Sequence, residues 1–183
     1  MIVHQVKYFK RLIEEMITSR DGLSNPLNKK FFEVYPKFAS IKQSAPCCCL
    51  RQQSSSTEFF GGYDRTKQSG NMIHRVRKIY EDKSSWQIDF FSKNIYDFIE
   101  ADESYIGFLN QFVKLITDHY RIVDPKGNAI EFELGSFGII DDESTIIDGI
   151  YMAYCQVKAV DGIYYSESIP ALPGDENNYI ITL

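Results

Sequence analysis

Apolar residues recur at helical spacing from the start of the chain. Val6, Phe9, Ile13 and Met16 fall every three or four positions, with Lys7, Lys10, Arg11, Glu14 and Glu15 mostly off that stripe. Side chains 3.6 residues apart share one helical face, so the pattern predicts an amphipathic helix over residues 3–19, stopped by Asp21-Gly22. Residues 24–46 leave two readings open: a short helix over LNKKFFEV capped by Asn25-Pro26, or irregular chain ended by Tyr35-Pro36. Ala45-Pro46-Cys47 to Gln52 reads as a strand. Residues 54–70, SSSTEFFGGYDRTKQSG, are polar and contain glycines, which predicts a long loop, either functional or an inserted hairpin.

Two strands follow, Met72 to Glu81 and Ser85 to Ser92. In the second, Trp86, Ile88 and Phe90 alternate with Gln87, Asp89 and Phe91, the period of a half-buried strand. Asp82-Lys83-Ser84 is expected to turn one into the other as an antiparallel hairpin. A second helix is expected over residues 103–119, with Tyr105, Phe108, Leu109, Phe112 and Ile116 on its apolar face and Asp102 or Ser104 as N-cap. The remainder reads as β. Tyr120–Val123 and Ala129–Leu134 flank a Pro-Lys-Gly-Asn turn, and Ile146 to Val160 and Ile163 to Ile169 flank Asp161-Gly162, a hairpin signal. The expected fold class is α+β: an antiparallel sheet with two main helices packed on one side, in a single domain spanning residues 1–183 with a possible extended segment over 170–183.

Size and composition suit that reading. The chain has 183 residues, 44 % hydrophobic and 25 % charged, ordinary globular usage with enough material for a core. No apolar run approaches the roughly 20 residues of a membrane helix. Charges run through the first 16 residues where a signal peptide would be apolar, so a soluble intracellular chain is expected. Aromatics reach 14 %, either filling a β-rich core or adding contact surface for a partner subunit.

The overall charge of −5 hides an asymmetry. Residues 1–80 hold 14 Lys+Arg against 6 Asp+Glu, a net of +8, and residues 81–183 hold 6 against 19, a net of −13. Such a split can be drift between solvated surfaces, or it can favour head-to-tail association. The basic charges look scattered along the sequence, so specific nucleic-acid readout is not expected.

Candidate chemistry is sparse. Cys47, Cys48 and Cys49 are consecutive and Cys155 stands alone, without the spacing that lets two thiolates reach one zinc ion; buried strand residues are expected instead. His4, His74 and His119 fall on separate elements. Glu131-Phe132-Glu133 resembles the paired glutamates of ADP-ribosyltransferases, with Arg51 and Ser54–Thr57 as nominal companions, but alternating acids on a solvated strand are common. Asp141-Asp142-Glu143 with Asp148 lacks the glycine-centred spacing of a calcium loop. No phosphate-cradling or nucleophile-elbow motif occurs. No enzyme, catalytic residue, cofactor or bound metal is therefore expected.

The order of elements resembles the tail-terminator (neck, tail-completion) proteins of tailed bacteriophages. The N-terminal amphipathic helix precedes SAPCCCLRQQ, then a strand of the form Trp86-Gln87-Ile88-Asp89-Phe90-Phe91-Ser92, a helix, and a final strand through Gly149-Ile150-Tyr151-Met152-Ala153-Tyr154. The resemblance implies a virion structural protein, assembled in the host cytoplasm, that forms a ring, commonly a hexamer. Such a ring caps the tail tube and joins it to the head. The implied partners are further copies of itself, the tail-tube protein and head-completion or connector proteins. Residues 54–70 and those after Pro170 are then expected to order on assembly. A different class fits the acidic half as well: a small acidic inhibitor or immunity-type protein masking a basic toxin or enzyme domain. A discrete ring in solution would favour the first, a monomer or dimer the second.

Overall fold

The computed structural model describes residues 2–16, 31–34, 36–59, 63–99, 106–123, 129–140 and 149–170. Four helices and seven strands follow in the order α1 (Ile2–Glu15), β1 (Phe31–Phe32), α2 (Phe38–Ser44), β2 (Cys47–Phe59), β3 (Tyr63–Ser69), β4 (Met72–Ser92), α3 (Tyr96–Ile99), α4 (Phe108–Asp118), β5 (Arg121–Val123), β6 (Ala129–Ile140) and β7 (Tyr151–Pro170). The architecture is α+β. The strands form one sheet in the order β1-β2-β4-β7-β6-β5, with β3 also paired to β4. Every pairing is antiparallel except β1 with β2.

The two amphipathic stripes find the same cluster. Phe9, Leu12 and Ile13 of α1 and Phe108, Leu109, Phe112 and Ile116 of α4 join Leu50, Trp86, Ile88, Phe90, Cys155 and Val157 of the sheet. Aromatic rings interlock there. Tyr8 stacks on Phe132 with centroids 3.9 Å apart, and Phe112 meets Phe90 edge-on at 5.4 Å. Tyr8 also donates its hydroxyl to the carbonyl of His119 at 2.7 Å, tying α1 to the end of α4. A smaller cluster gathers Ile41 of α2 with Cys47, Cys49, Phe91 and Ile150. Since Cys47 and Cys49 alternate with Cys48 and Leu50 along β2, α2 covers the sheet face opposite α1 and α4.

Four expectations need correction. The loop over 54–70 is largely strand: β2 runs to Phe59, β3 occupies Tyr63–Ser69, and the turn is Gly70-Asn71, with Gly70 at φ 59°. The hairpin at Asp82-Lys83-Ser84 does not exist, because these residues lie inside β4 with Ser55, Ser56 and Thr57 on one side and Ala159, Val160 and Asp161 on the other. Asp161-Gly162 likewise lies inside the continuous β7, opposite Asp82 and Glu81. Finally, α4 begins at Phe108 rather than 103, capped by Gly107 without a side-chain bond. A Cβ at Gly107 would stand 2.3 Å from the Phe98 carbonyl carbon, so α3 approaches too closely for any other residue. The expected caps Asp102 and Ser104, the stop at Asp21-Gly22 and the segment after Pro170 lie outside the described residues. Phe31-Phe32, offered either to a short helix or to irregular chain, forms β1.

Together β2 and β3 make one edge running the whole length of β4, from Cys47 opposite Phe91 to Ser69 opposite Met72. On the other side β7 follows β4 over the same span, but β6 follows β7 only as far as Asp161. Past that point, among the described residues, the sheet narrows to three strands, β4 and β7 with the end of β2 and then β3. Gly162–Pro170 adds nine residues, a three-stranded arm about 30 Å long at the rise of an extended strand.

Candidate interaction surface

The arm carries much of the positive charge that looked scattered in the sequence. Arg65, Lys67, Arg75, Arg77 and Lys78 all lie on β3 or the adjoining part of β4. The register sets Arg75 opposite Glu167, and Lys78 forms an ion pair with Glu81. Glu81 is held below the usual carboxylate range, first by the hydrogen bond from Lys78 and further by Lys83, against the opposing effect of burial. The antiparallel register thus gathers charges that stand apart in the chain.

Large apolar side chains are also exposed where the arm leaves the body. Phe59 is 67 % exposed and Tyr80 41 %, and their rings meet edge-on at 5.7 Å; Tyr165 is 53 % exposed. Exposed aromatics set among charged residues are typical of protein contact surfaces. The backbone is open too. Among the described residues, β3 pairs only with β4, and β7 beyond Asp161 pairs only with β4. A cavity of about 370 Å³ sits at the base of the arm, between Val3 and Gln5 of α1 and the Ser55–Thr57 and Asp82–Ser84 stretches. Its inner wall holds Gln5, whose Oε1 accepts from Ser84 Oγ and Trp86 Nε1, each at 2.7 Å.

Catalytic candidates do not converge. Glu131 points outward on β6 with a loose Arg121 contact of 3.8 Å, and Glu133 is exposed as well. Arg51 instead reaches across the sheet to Asp89, Nη2 to Oδ2 at 3.2 Å. Ser54–Thr57 belong to β2 rather than a loop, and Thr57 donates its hydroxyl to Asp82 at 2.5 Å. His74 faces Ser168 across the arm at 2.7 Å, His119 lies 3.7 Å from Glu15, and His4 sits on α1. Asp141, Asp142, Glu143 and Asp148 lie outside the described residues. Among the described residues no group of three His, Cys, Asp or Glu could hold a metal ion. All four cysteines are buried thiols outside any disulfide.

Sequence reasoning missed the arm because two turn signals pointed to the wrong places. The signal that would have found it was Gly70-Asn71, a two-residue hairpin dipeptide flanked by polar strands. No helix among the described residues is long and apolar enough to cross a membrane. No protein-family model and no curated protein matches the chain.

Proposed function

We propose that this chain is a structural assembly subunit that associates head to tail into a closed ring, in the manner of the phage tail-terminator proteins its order of elements resembles. The arm is the observation that carries the reading. It extends beyond the end of β6 and presents exposed aromatics, which is costly for a lone monomer but useful to a subunit with a neighbour. The ring would cap a tail tube and meet head-completion or connector proteins, acting by association and without a cofactor. In this reading a main pair of helices lies on one side of the sheet, and the edges of the arm make the contact.

Exposed ion pairs are worth only about 0–1 kcal/mol each, so the unequal charge of the two sequence halves would steer subunits together while buried aromatics hold them. Light scattering on the full chain, alone and with tail-tube protein, tests the reading. A discrete ring mass is expected in at least one condition, with association slowing as salt rises from about 0.05 to 0.5 M and the screening length falls below 10 Å. A monomer in both conditions would reject it and leave the inhibitor reading ahead.

A further inference from the structure

We infer that the arms of neighbouring copies join edge to edge: the edge of β7 (Gly162–Pro170) that no other described strand pairs, in one copy, pairs in parallel with the corresponding edge of β3 (Tyr63–Ser69) in the next. This inference rests on the ring reading and names the surface that would build it.

Direction comes first. Within one arm, β3 and β7 are both antiparallel to β4, so they run parallel to each other on its two sides. Copies placed side by side in the same orientation bring β7 of one beside β3 of the next, and those two strands are again parallel. The contact is heterologous, because each copy offers one edge and accepts the other, and such contacts close into rings when the rotation between copies permits. Two like edges would instead make an isologous dimer and stop there.

Length and charge agree with that geometry. The β3 edge covers seven residues and the β7 edge nine, so the two are matched in extent. Tyr63–Ser69 carries Asp64, Arg65 and Lys67, a net of +1, while 162–170 carries only Glu167, a net of −1. Each edge therefore meets opposite charge on its neighbour and like charge on its own counterpart. Open edges invite uncontrolled pairing unless something limits them. Here β3 is irregular between Tyr63 and Arg65, and β7 ends at Pro170, whose nitrogen bears no proton. Both features confine the ladder to the few residues between them.

Engineered thiols test the pairing in the full-length chain. The four native cysteines are buried, so added ones provide the exposed thiols. Lys67, His74 and Ser168 share one row across β3, β4 and β7. Within a copy, residues 67 and 168 stand two strand spacings apart, about 9.6 Å, beyond the roughly 7 Å that a disulfide spans. A bond between them can form only between copies. Lys67→Cys combined with Ser168→Cys, or with Ser166→Cys to allow the neighbouring register, should oxidise into a ladder of covalent multimers ending at the ring's size. Each single variant should stay monomeric on a non-reducing gel. In the unmodified protein, amides of Tyr63–Ser69 and 162–170 should exchange on the order of tenfold more slowly after assembly.

Dimers from a single variant would overturn the inference by showing an isologous edge. Rings by light scattering with no cross-link in either double variant and no gain in amide protection would overturn it while leaving the ring reading intact. A monomer with and without tail-tube protein would reject both.

Discussion

Trp86 and Gln5 are joined by a single short bond, indole Nε1 to side-chain Oε1 at 2.7 Å, between the middle of β4 and the first turns of α1. An indole nitrogen can only donate, so the bond fixes which way the Gln5 amide is turned. Ser84 Oγ converges on the same oxygen, and both Gln5 and Trp86 are nearly inaccessible to water. Gln5→Ala removes the shared acceptor from two buried donors. It should destabilise the protein by about 1–3 kcal/mol in urea titration. Ser84 Oγ lies 3.2 Å from the indole nitrogen and offers it a second acceptor, which favours the lower end. Gln5→Met keeps the bulk but removes the oxygen, and should cost about as much as the alanine variant if the bond, rather than packing, is what matters.

Ile88 is fully buried in the main cluster between Leu50 and Cys155, its register partners on the two flanking strands. Ile88→Ala should cost about 2–5 kcal/mol, the usual loss for a large-to-small change in a core. Equilibrium denaturation reads it directly, and a loss below about half a kcal/mol would contradict the burial of this strand.

Asp89 gives the protein a pH dependence of definite sign. Its side chain is inaccessible to water; Gln87 Nε2 donates to Oδ1 at 2.6 Å and Arg51 to Oδ2 at 3.2 Å. Burial pushes the carboxyl above its ordinary range, and the Gln87 bond and the Arg51 charge only partly offset this. A raised folded pKa favours the protonated form in the native state. The corresponding stability is complete below the unfolded value of about 3.9 and is lost as pH rises through the folded value. Wild type should therefore lose stability relative to Asp89→Asn as pH rises above the unfolded value of about 3.9. Glu81 pulls the other way but is common to both proteins, so it cancels in the difference. Denaturation midpoints at several pH values measure it, and a wild type that gained on Asp89→Asn as pH rises would contradict the assignment.

The thiols should be silent in the native protein. Cys49 is pushed up chiefly by its hydrogen bond with Cys47 and further by burial, burial raises Cys48, and burial alone takes Cys155 to about 12. Only a thiolate attacks a disulfide reagent. At pH 8 a colorimetric thiol reagent should find none of the four cysteines in the folded chain and all four after unfolding. Because these pKa values are raised, their stabilising contribution falls once pH passes the unfolded value of about 8.5. One thiol reacting quickly under native conditions would show an exposed cysteine.

Two glycines separate the observed sheet from the one expected. At Gly162 an added Cβ would lie 2.5 Å from a ring carbon of Tyr164, two residues along the same strand. Gly162→Ala should cost about 1–3 kcal/mol through crowding, and Tyr164→Ala in the same chain should recover part of it. Were Gly162 a turn residue, the two changes would add without coupling. At Gly70, φ is 59° and nothing stands within 4 Å, so Gly70→Ala should strain only the backbone at the arm's tip.

The same glycines mark what could be read from the sequence. A turn signal found the antiparallel β5–β6 pair, and periodicity found α1, the core of α4 and the strand through Trp86–Phe90, because burial of a regular apolar face imposes the spacing. It failed where a dipeptide was read as a turn. Asp161-Gly162 and Asp82-Lys83-Ser84 carry turn chemistry, but the second segment is held straight between β2 and β7, and the first is paired with Asp82 and Glu81 of β4, with Ile130 of β6 on the far side of Asp161. Tertiary pairing overrides local preference there. The polar residues of β3 gave no hydrophobic alternation although their burial alternates, Thr66 and Gln68 half-buried and Lys67 and Ser69 exposed, so its strand character comes from hydrogen bonding to β4 and leaves little trace in hydrophobicity. Register, more than composition, created the candidate surface.

Because the same two strands, β4 and β7, run from body to arm, both share one ladder from Met72 opposite Pro170 to Ser92 opposite Tyr151, shifted in register only between Lys78 and Tyr80. A force drawn along the arm toward its tip therefore loads that ladder in shear, with many hydrogen bonds strained together, while a force applied across it would peel them one after another. The arm is mechanically anisotropic: stiff when pulled lengthwise, weak when pried sideways. A single-molecule pull from residues 71 and 2 should yield at a higher force than one that spreads residues 69 and 170 apart.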